Sequence, residues 1–297
     1  MKNQISLSLH RFKPLQIVGV ASGHGAQDRG CASGPEALRD SGLTEQLAQR
    51  GIAASWAVML QPQAGEDLAV VTAVCSELAE QVSTLVKNGA CPLVVGGDHS
   101  CAIGTWKGVL QVQQPIGLIW IDAHMDAHTV LTSPSGALHG MPLACLLGHG
   151  APALTGIGGG LSLDPRHVCL IGVRSFEQGE AALLAALGVR IFHMSEVDQR
   201  GLDAVMRDAL SIVQTGTAGF GITIDLDALD PDETPAVGSP VAGGIRQAAL
   251  LKALSLLAAH PALLAVELVE YNPAHDNQSG TLSFISAMIE TLMTERQ

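Results

Sequence analysis

The sequence predicts an α/β fold on a mostly parallel sheet of eight strands. Short apolar runs alternate with longer amphipathic ones along the chain, the pattern of strands joined by crossover helices. Three of the apolar runs end in Asp/His clusters. These are Gly96-Gly97-Asp98-His99-Ser100 after Leu93-Val94-Val95, Asp122-Ala123-His124-Met125-Asp126-Ala127-His128 after 116–121, and Asp225-Leu226-Asp227 after 220–224. No composition break, linker or repeat divides the 297 residues, so a single domain, 1–297, is expected. Spacing leaves two architectures open, a closed (β/α)8 barrel and an open doubly wound sheet. Both carry function at the carboxyl ends of their strands.

Strands are expected near 15–20, 52–58, 92–96, 116–121, 168–172, 189–193, 219–224 and 263–269. Helical patterns fall near 35–50, 67–88, 100–112, 140–148, 178–187, 201–214, 246–259 and 279–294. Across 66–87, Leu68, Val71, Val74, Leu78, Val82 and Leu85 recur at helical spacing and share a face. The Gly-rich stretch 155–161 reads as a flexible loop. Leu161 stands where a dinucleotide fingerprint needs its last glycine, and the stretch precedes a strand instead of following one. No Gly-x-Ser-x-Gly elbow supports a serine hydrolase of that type.

Hydrophobic residues make up 47% of the chain, enough for a large core. No run of 18 apolar residues lacks a charge or breaker; the nearest, 248–268, is interrupted by Lys252, His260, Pro261 and Glu267. The opening Met1-Lys2-Asn3-Gln4 lacks the pattern of a signal peptide. Cys31, Cys75, Cys91, Cys101, Cys145 and Cys169 are scattered without a Cys-x-x-Cys pair. They read as reduced core residues of a cytoplasmic protein. A formal charge of −12 argues against nucleic acid or an anionic membrane as partner. Carboxylates gathered around divalent cations would account for part of that excess.

An extended chain points residues i, i+2 and i+4 to one side, so Asp122, His124 and Asp126 converge. With His99, Asp225 and Asp227 they form a set of two imidazoles and four carboxylates. Asp is common after strands, and one Asp-x-His would be weak evidence. Three such clusters at three strand ends point to a metal centre with more than one ion. The mixed N/O set suits Mn²⁺ better than Mg²⁺, and without Cys it is unlike structural zinc sites. Six ligands serve two ions if carboxylates bridge, and ions roughly 3.5–4 Å apart lower the pKa of a shared water.

Gly-Gly-Asp-His-Ser at 96–100, Asp-Ala-His-x-Asp at 122–126, Ser-Gly-x-x-His-Gly at 135–140 and Asp-Leu-Asp-x-Leu-Asp-Pro at 225–231 together resemble the ureohydrolase family. That family comprises arginases, agmatinases and guanidino-acid hydrolases. The resemblance runs from Gly34-Pro35-Glu36-Ala37-Leu38-Arg39 to Glu270-Tyr271-Asn272-Pro273. It implies one three-layer α/β/α domain on an open, mostly parallel eight-stranded sheet of arginase/deacetylase type. It also implies a homo-oligomer, trimer or hexamer, and two Mn²⁺ per chain, other divalent ions being possible. By this resemblance His99, Asp122, Asp126 and Asp225 bind one ion. Asp122, His124, Asp225 and Asp227 bind the other, with Asp122 and Asp225 bridging. His139 matches the proton-shuttling histidine, a role suited to a pKa near working pH. Glu270 matches the carboxylate that holds the guanidinium, and Asp126 joins both in the catalytic set. Glu267, three residues before Glu270, reads as a strand residue with a structural partner.

Three stretches look more like arginases than agmatinases: 133–143, 235–241 and 172–180, the last similar to bacterial arginases. Ser135 then stands where the α-carboxylate of arginine is held and Glu177 where the α-amino group is contacted; both pairings are chemically sound. Ser239, in the second stretch, joins the substrate contacts. Two positions depart from the arginase pattern, His128 and Ala137, each where Asn is usual. His128 is expected to donate to the substrate's carboxylate, to mark a different substrate tail, or to face solvent. His24, in the loop after the first strand, is placed at the site mouth; His10, His149, His167, His193, His260 and His275 read as structural or surface residues. The leading expectation is conversion of L-arginine and water to L-ornithine and urea. Agmatine, a guanidino acid or another guanidine is the alternative within the family. A single-zinc amidohydrolase on the deacetylase fold and an inactive metal-dependent binding protein are the readings from other classes. The two histidines with Asp126 disfavour the former, and the complete ligand set with His139 disfavours the latter.

Overall fold

Eight parallel strands form a single open sheet in the computed structural model, which describes residues 15–278 and 280–294. Met1–Gln4, His10 and position 279 of the expected last helix lie outside the described residues. The strands are β1 (Leu15–Val20), β2 (Ala54–Leu60), β3 (Cys91–Gly96), β4 (Gly117–Ile121), β5 (Val168–Val173), β6 (Arg190–His193), β7 (Phe220–Asp225) and β8 (Leu263–Val269). Their order across the sheet is β2-β1-β3-β8-β7-β4-β5-β6. The sheet does not close, so the open architecture holds over the barrel. Strands β3, β4, β5, β7 and β8 are buried along their whole length, as continuous apolar runs require when both faces are covered. Edge strand β2 alternates exposed and half-buried residues, and edge strand β6 buries only Phe192.

Helices cover both faces. On one lie α3 (Asp67–Lys87), α4 (Ala102–Leu110), α5 (Pro142–Leu146) and α7 (Gln178–Leu187), packed on Val18, Val94, Trp120 and Leu170. The short α6 (Pro152–Thr155) packs beside α3 and α5. The other face carries α1 (Gly34–Asp40), α2 (Leu43–Gln49), α8 (Met194–Arg200), α9 (Leu202–Gln214), α10 (Gln247–Leu254) and α11 (Gly280–Met293), packed on Ile17, Val95, Ile119 and Ile222. This is the three-layer α/β/α arrangement. Gly221 makes one contact possible: a Cβ there would meet the Trp106 ring of α4 at 1.9 Å, so only glycine lets that ring lie on β7.

Several expectations change in detail. The helix expected at 35–50 is two helices, broken at Ser41-Gly42, where Gly42 adopts φ +75°. Helix α8 lay outside the sequence reading because only Val197 of it is buried, leaving no amphipathic period to detect. The stretch 155–161 is not a free loop. Its 3-10 turn buries Ile157, and the buried Lys107 ammonium donates to the carbonyls of Thr155 (3.0 Å) and Leu161. The span 248–268 divides into α10, a turn and β8; among the described residues the helix long and apolar enough to cross a membrane is α3, which packs on the sheet. All six cysteines are buried.

Candidate metal centre

Neighbouring strands β3, β8, β7 and β4 end in His99, Glu270, Asp225–Asp227 and Asp122–Asp126, and the sheet order places these ends side by side. His99 Nδ1 lies 3.4 Å from Asp122, 3.0 Å from Asp126 and 3.2 Å from Asp225. His124 Nδ1 lies 3.4 Å from Asp122 and 3.1 Å from Asp227. Two ligand groups result, His99–Asp122–Asp126 and Asp122–His124–Asp227, sharing Asp122. Asp225 joins the first through its contact with His99. All six expected ligands are therefore brought together, and all but His124, at 27% side-chain exposure, are buried.

The donor set fits cations on two observations. Thr223 donates its hydroxyl proton to Glu267 Oε2 at 2.7 Å. With that proton spent, Thr223 can only accept from His99 Nε2–H at 3.0 Å, so the neutral ring, the form a cation needs, presents a bare Nδ1 to the carboxylates. That buried Nδ1 has no hydrogen-bond partner. Second, the carboxylates crowd one another. Burial, then the charge of Asp122, pushes Asp126 up to about 7; burial, then Asp227 and Asp122, pushes Asp225 well above the carboxylate range. Burial opposes charge on His99, yet three carboxylates hold its pKa well above that of free imidazole. A positive charge belongs between these atoms.

The surrounding contacts hold the ligands in place. Trp120 Nε1 donates to Asp122 Oδ2 at 2.9 Å, and its ring stacks on His99 with centroids 4.3 Å apart. The carboxylates of Asp122 and Asp225 cap the turns that follow them, accepting from His124 N (2.7 Å) and Asp227 N (2.8 Å). Asp126 and Glu270 adopt φ of +49° and +67°, rare for side-chain-bearing residues, so both backbones are held in strained conformations at the site.

Glu270 Oε1 accepts from His99 N at 2.9 Å and lies 3.1 Å from His139 Nδ1. Burial disfavours charge on His139, but the Glu270 hydrogen bond and charge prevail and raise it to about 9. Burial likewise disfavours charge on Glu270, and His139 overcomes it to hold that carboxyl below the usual range. The two form an ion pair at neutral pH. His139 N donates to Gly25 O, tying it to the loop after β1, where Gly25 N donates to Asp98. His24 lies in that loop and, with Arg29, Asp67, Ser135 and Leu138, lines a cleft of about 360 Å³. Glu267 is the structural residue expected: buried, it accepts from Thr105, Thr223 and Trp106.

The expected substrate-tail residues divide. His128 and Glu177 meet: His128 Nε2 donates to Glu177 Oε2 at 2.9 Å. Ser135 lies on the cleft and accepts from Ala137 N at 3.2 Å. Ser239 sits in an exposed bend, and no described hydrogen bond ties it to the ligands or to the His128–Glu177 pair. Three supporting residues escaped the sequence reading. Thr223 is a polar residue inside an apolar run, which was its one signal. Glu180 accepts from Glu177 N (3.0 Å) and Ala127 N (3.2 Å), and its three-residue spacing from Glu177 is the mark of a capping box. Arg174 donates to the carbonyls of Asp227, Ala228 and Leu229, clamping the turn that carries Asp227; nothing in its spacing signals this.

Comparison with known proteins agrees with this geometry. The model of the arginase family matches residues 13–294. The arginase of Bacillus caldovelox is 40% identical over 297 residues, covering 96% of this chain and 99% of that protein. The chain belongs to the arginase family. A solved structure of the B. caldovelox arginase superposes with a TM-score of 0.91 at 39% identity, covering 96% of this chain and 99% of that one. An Entamoeba histolytica arginase solved in complex with L-ornithine gives a TM-score of 0.88 at 28% identity, with 95% and 98% covered. Members of this family are metal-dependent hydrolases of the guanidino C–N bond, and this chain has Asp/His clusters that could hold metal ions.

Proposed function

We propose that this protein is a binuclear manganese arginase, converting L-arginine and water to L-ornithine and urea. The observation that carries the reading is the pair of ligand groups sharing Asp122, with the Glu270–His139 ion pair beside them. His99, Asp122, Asp126 and Asp225 would hold one ion, and Asp122, His124, Asp225 and Asp227 the other. Divalent cations there supply Lewis acidity and make water acidic enough to be a nucleophile at neutral pH.

The remaining work falls to the chain. Glu270 is a buried, ionised carboxylate whose Oε1 already meets His99 N, so it presents a fixed anionic face next to the ligands. A guanidinium held flat on that face competes with His139 for it, which brings acid and substrate to the same carboxylate. His139 is protonated at neutral pH because Glu270 stabilises its charge. When the bond between the guanidino carbon and the side-chain nitrogen breaks, the leaving amine needs a proton, and His139 is the acid placed to give it. Glu177, exposed and held ionised by its hydrogen bond from His128, suits the α-ammonium; Ser135, on the cleft wall, suits the α-carboxylate. Ser239 is a weaker contact on this reading. The six buried thiols suit a reducing, cytoplasmic setting. Assembly as a trimer or hexamer is proposed from family resemblance.

A second reading, another guanidino compound as substrate, is favoured by His128 and Ala137. Urea release by Mn²⁺-loaded protein, measured with arginine and agmatine in parallel, tests both. Preference for arginine supports the arginase reading. Preference for agmatine, or urea from neither, overturns it in favour of another guanidine.

A further inference from the structure

We infer that His128 is a positioning residue that holds Glu177 in place, and that the pair selects guanidino substrates by their ammonium end instead of reading their carboxylate. This deepens the guanidino-hydrolase reading and rests on it.

His128 is the position where an amide would be usual; it was expected to donate to a substrate carboxylate, to mark a different tail or to face solvent, and its burial rules out the last. Its surroundings leave it no donor for that task. The residue is 6% exposed, and its backbone N–H goes to Gly140 O at 2.9 Å. Nε2 donates to Glu177 Oε2 at 2.9 Å. Nδ1 lies 3.2 Å from Thr132 Oγ1, which itself accepts from Thr129 N at 2.9 Å. With Nε2–H given to an ionised carboxylate, Nδ1 is the acceptor and the Thr132 hydroxyl its donor. Both ring nitrogens are thus engaged within the protein.

The same contacts fix Glu177. Thr132 packs directly on the first turn of α7, where a Cβ on Gly179 would meet Thr132 Cβ at 2.7 Å. That packing locates the His128 ring relative to the helix that Glu177 precedes. Glu180 locks the other side: it takes Glu177 N and Ala127 N, so its carboxylate is occupied by backbone. Glu177 is the one of the two carboxylates that faces solvent, with 60% of its side chain exposed. A carboxylate held by a buried donor loses little rotamer freedom on meeting a cation, so its attraction is not spent on ordering. The pair therefore offers an anchored anion and no free ring donor. On the cleft wall, Arg29 is tied to Asp67 at 2.7 Å, and Ser135, which accepts from Ala137 N and keeps its own O–H, is a neutral donor, so recognition of an anionic tail is the weaker half of the site.

The test compares L-arginine (ammonium and carboxylate), agmatine (ammonium alone) and 5-guanidinopentanoate (carboxylate alone). Binding of L-ornithine, putrescine and 5-aminopentanoate is measured by calorimetry on the Mn²⁺-loaded protein, without turnover. His128→Ala is expected to raise KM for arginine and agmatine by the same factor, about tenfold, the worth of one hydrogen bond to a charged group. The KM for 5-guanidinopentanoate should move by less than about twofold, and kcat should fall far less than KM rises. Ornithine and putrescine should weaken alike. Glu177→Ala should reproduce the pattern, the double variant should be no worse than Glu177→Ala alone, and His128→Gln, which keeps a donor, should restore most of the loss. A KM rise confined to carboxylate-bearing substrates would overturn the inference, making His128 a carboxylate reader. So would additive single-site effects, or a uniform fall in kcat for all three substrates. If the wild-type protein releases urea from no guanidine, the parent reading fails, and the calorimetric arm still decides whether His128 and Glu177 act together on ammonium.

Discussion

Thr223→Val isolates the hydroxyl that links His99 to Glu267. Valine keeps the shape, so no cavity opens, and the β7–β8 register that pairs Thr223 with Glu267 is unchanged. Glu267 keeps its donors on Thr105 (2.5 Å) and Trp106 (3.2 Å), whereas His99 Nε2 loses the partner that fixes its tautomer. A buried donor left alone costs about 1–3 kcal/mol, and the lost bond to the Glu267 carboxylate about 1.5–3 kcal/mol. The total, about 2.5–6 kcal/mol, lowers Tm of the metal-free protein by about 5–12 °C at roughly 2 °C per kcal/mol for a chain this long. The free ring can also place its proton on Nδ1, facing the carboxylates, so affinity for Mn²⁺ should fall about 10- to 100-fold, the usual worth of a residue that orients a metal-bound histidine. Equilibrium dialysis against graded Mn²⁺ measures the affinity, and thermal melts in chelator measure the stability. Wild-type affinity in a variant whose melting point has fallen would refute the argument that Thr223 sets the tautomer.

Three more outcomes are expected. Asp126→Asn should reduce metal content and activity together, by more than the roughly 10- to 100-fold of a supporting residue; because Asn tolerates the positive φ of this position, the fold should survive, and unchanged metal occupancy by elemental analysis would remove Asp126 from the ligands. His139→Ala should keep its metal and lose about 10²-fold in kcat, as removal of a general acid does; full turnover would exclude it from the chemistry. In the metal-free protein the Asp126 carboxyl titrates at about 7 because of burial and the charge of Asp122, and a cation needs it deprotonated. Mn²⁺ affinity should therefore weaken as pH falls through 7, by about tenfold per unit for this one proton, with proton release visible in calorimetry; affinity independent of pH between about 6 and 8 would contradict the crowding of these carboxylates.

Much of the molecule is legible in one dimension because the signals are local. Every strand falls within a few residues of its apolar run, since a strand buried on both faces must be a continuous hydrophobic segment. The candidate ligands are legible from their alternate spacing, but Asp122, His124 and Asp126 do not lie on the extended segment expected: the chain turns at His124, whose N–H Asp122 caps, and Asp126 is left-handed. Where the signal is weak the reading slips, as at α8, which buries little, and at Ser41-Gly42, where a left-handed glycine breaks an otherwise helical pattern.

Which strand ends meet is a different matter. The chain itself carries the alternation of strands and helices, the six candidate ligands and the identities of His139 and Glu270. The tertiary structure alone decides that β3, β8, β7 and β4 are neighbours, bringing His99 beside Glu270 across 171 positions and Thr223 opposite Glu267. It alone decides that His128 spends its nitrogens on Thr132 and on Glu177, 49 positions away. The reason is physical. Periodicity records which face of a segment is buried, but parallel strands are joined by crossovers that cover one face or the other, so their order depends on how the helix layers pack and not on their order in the chain.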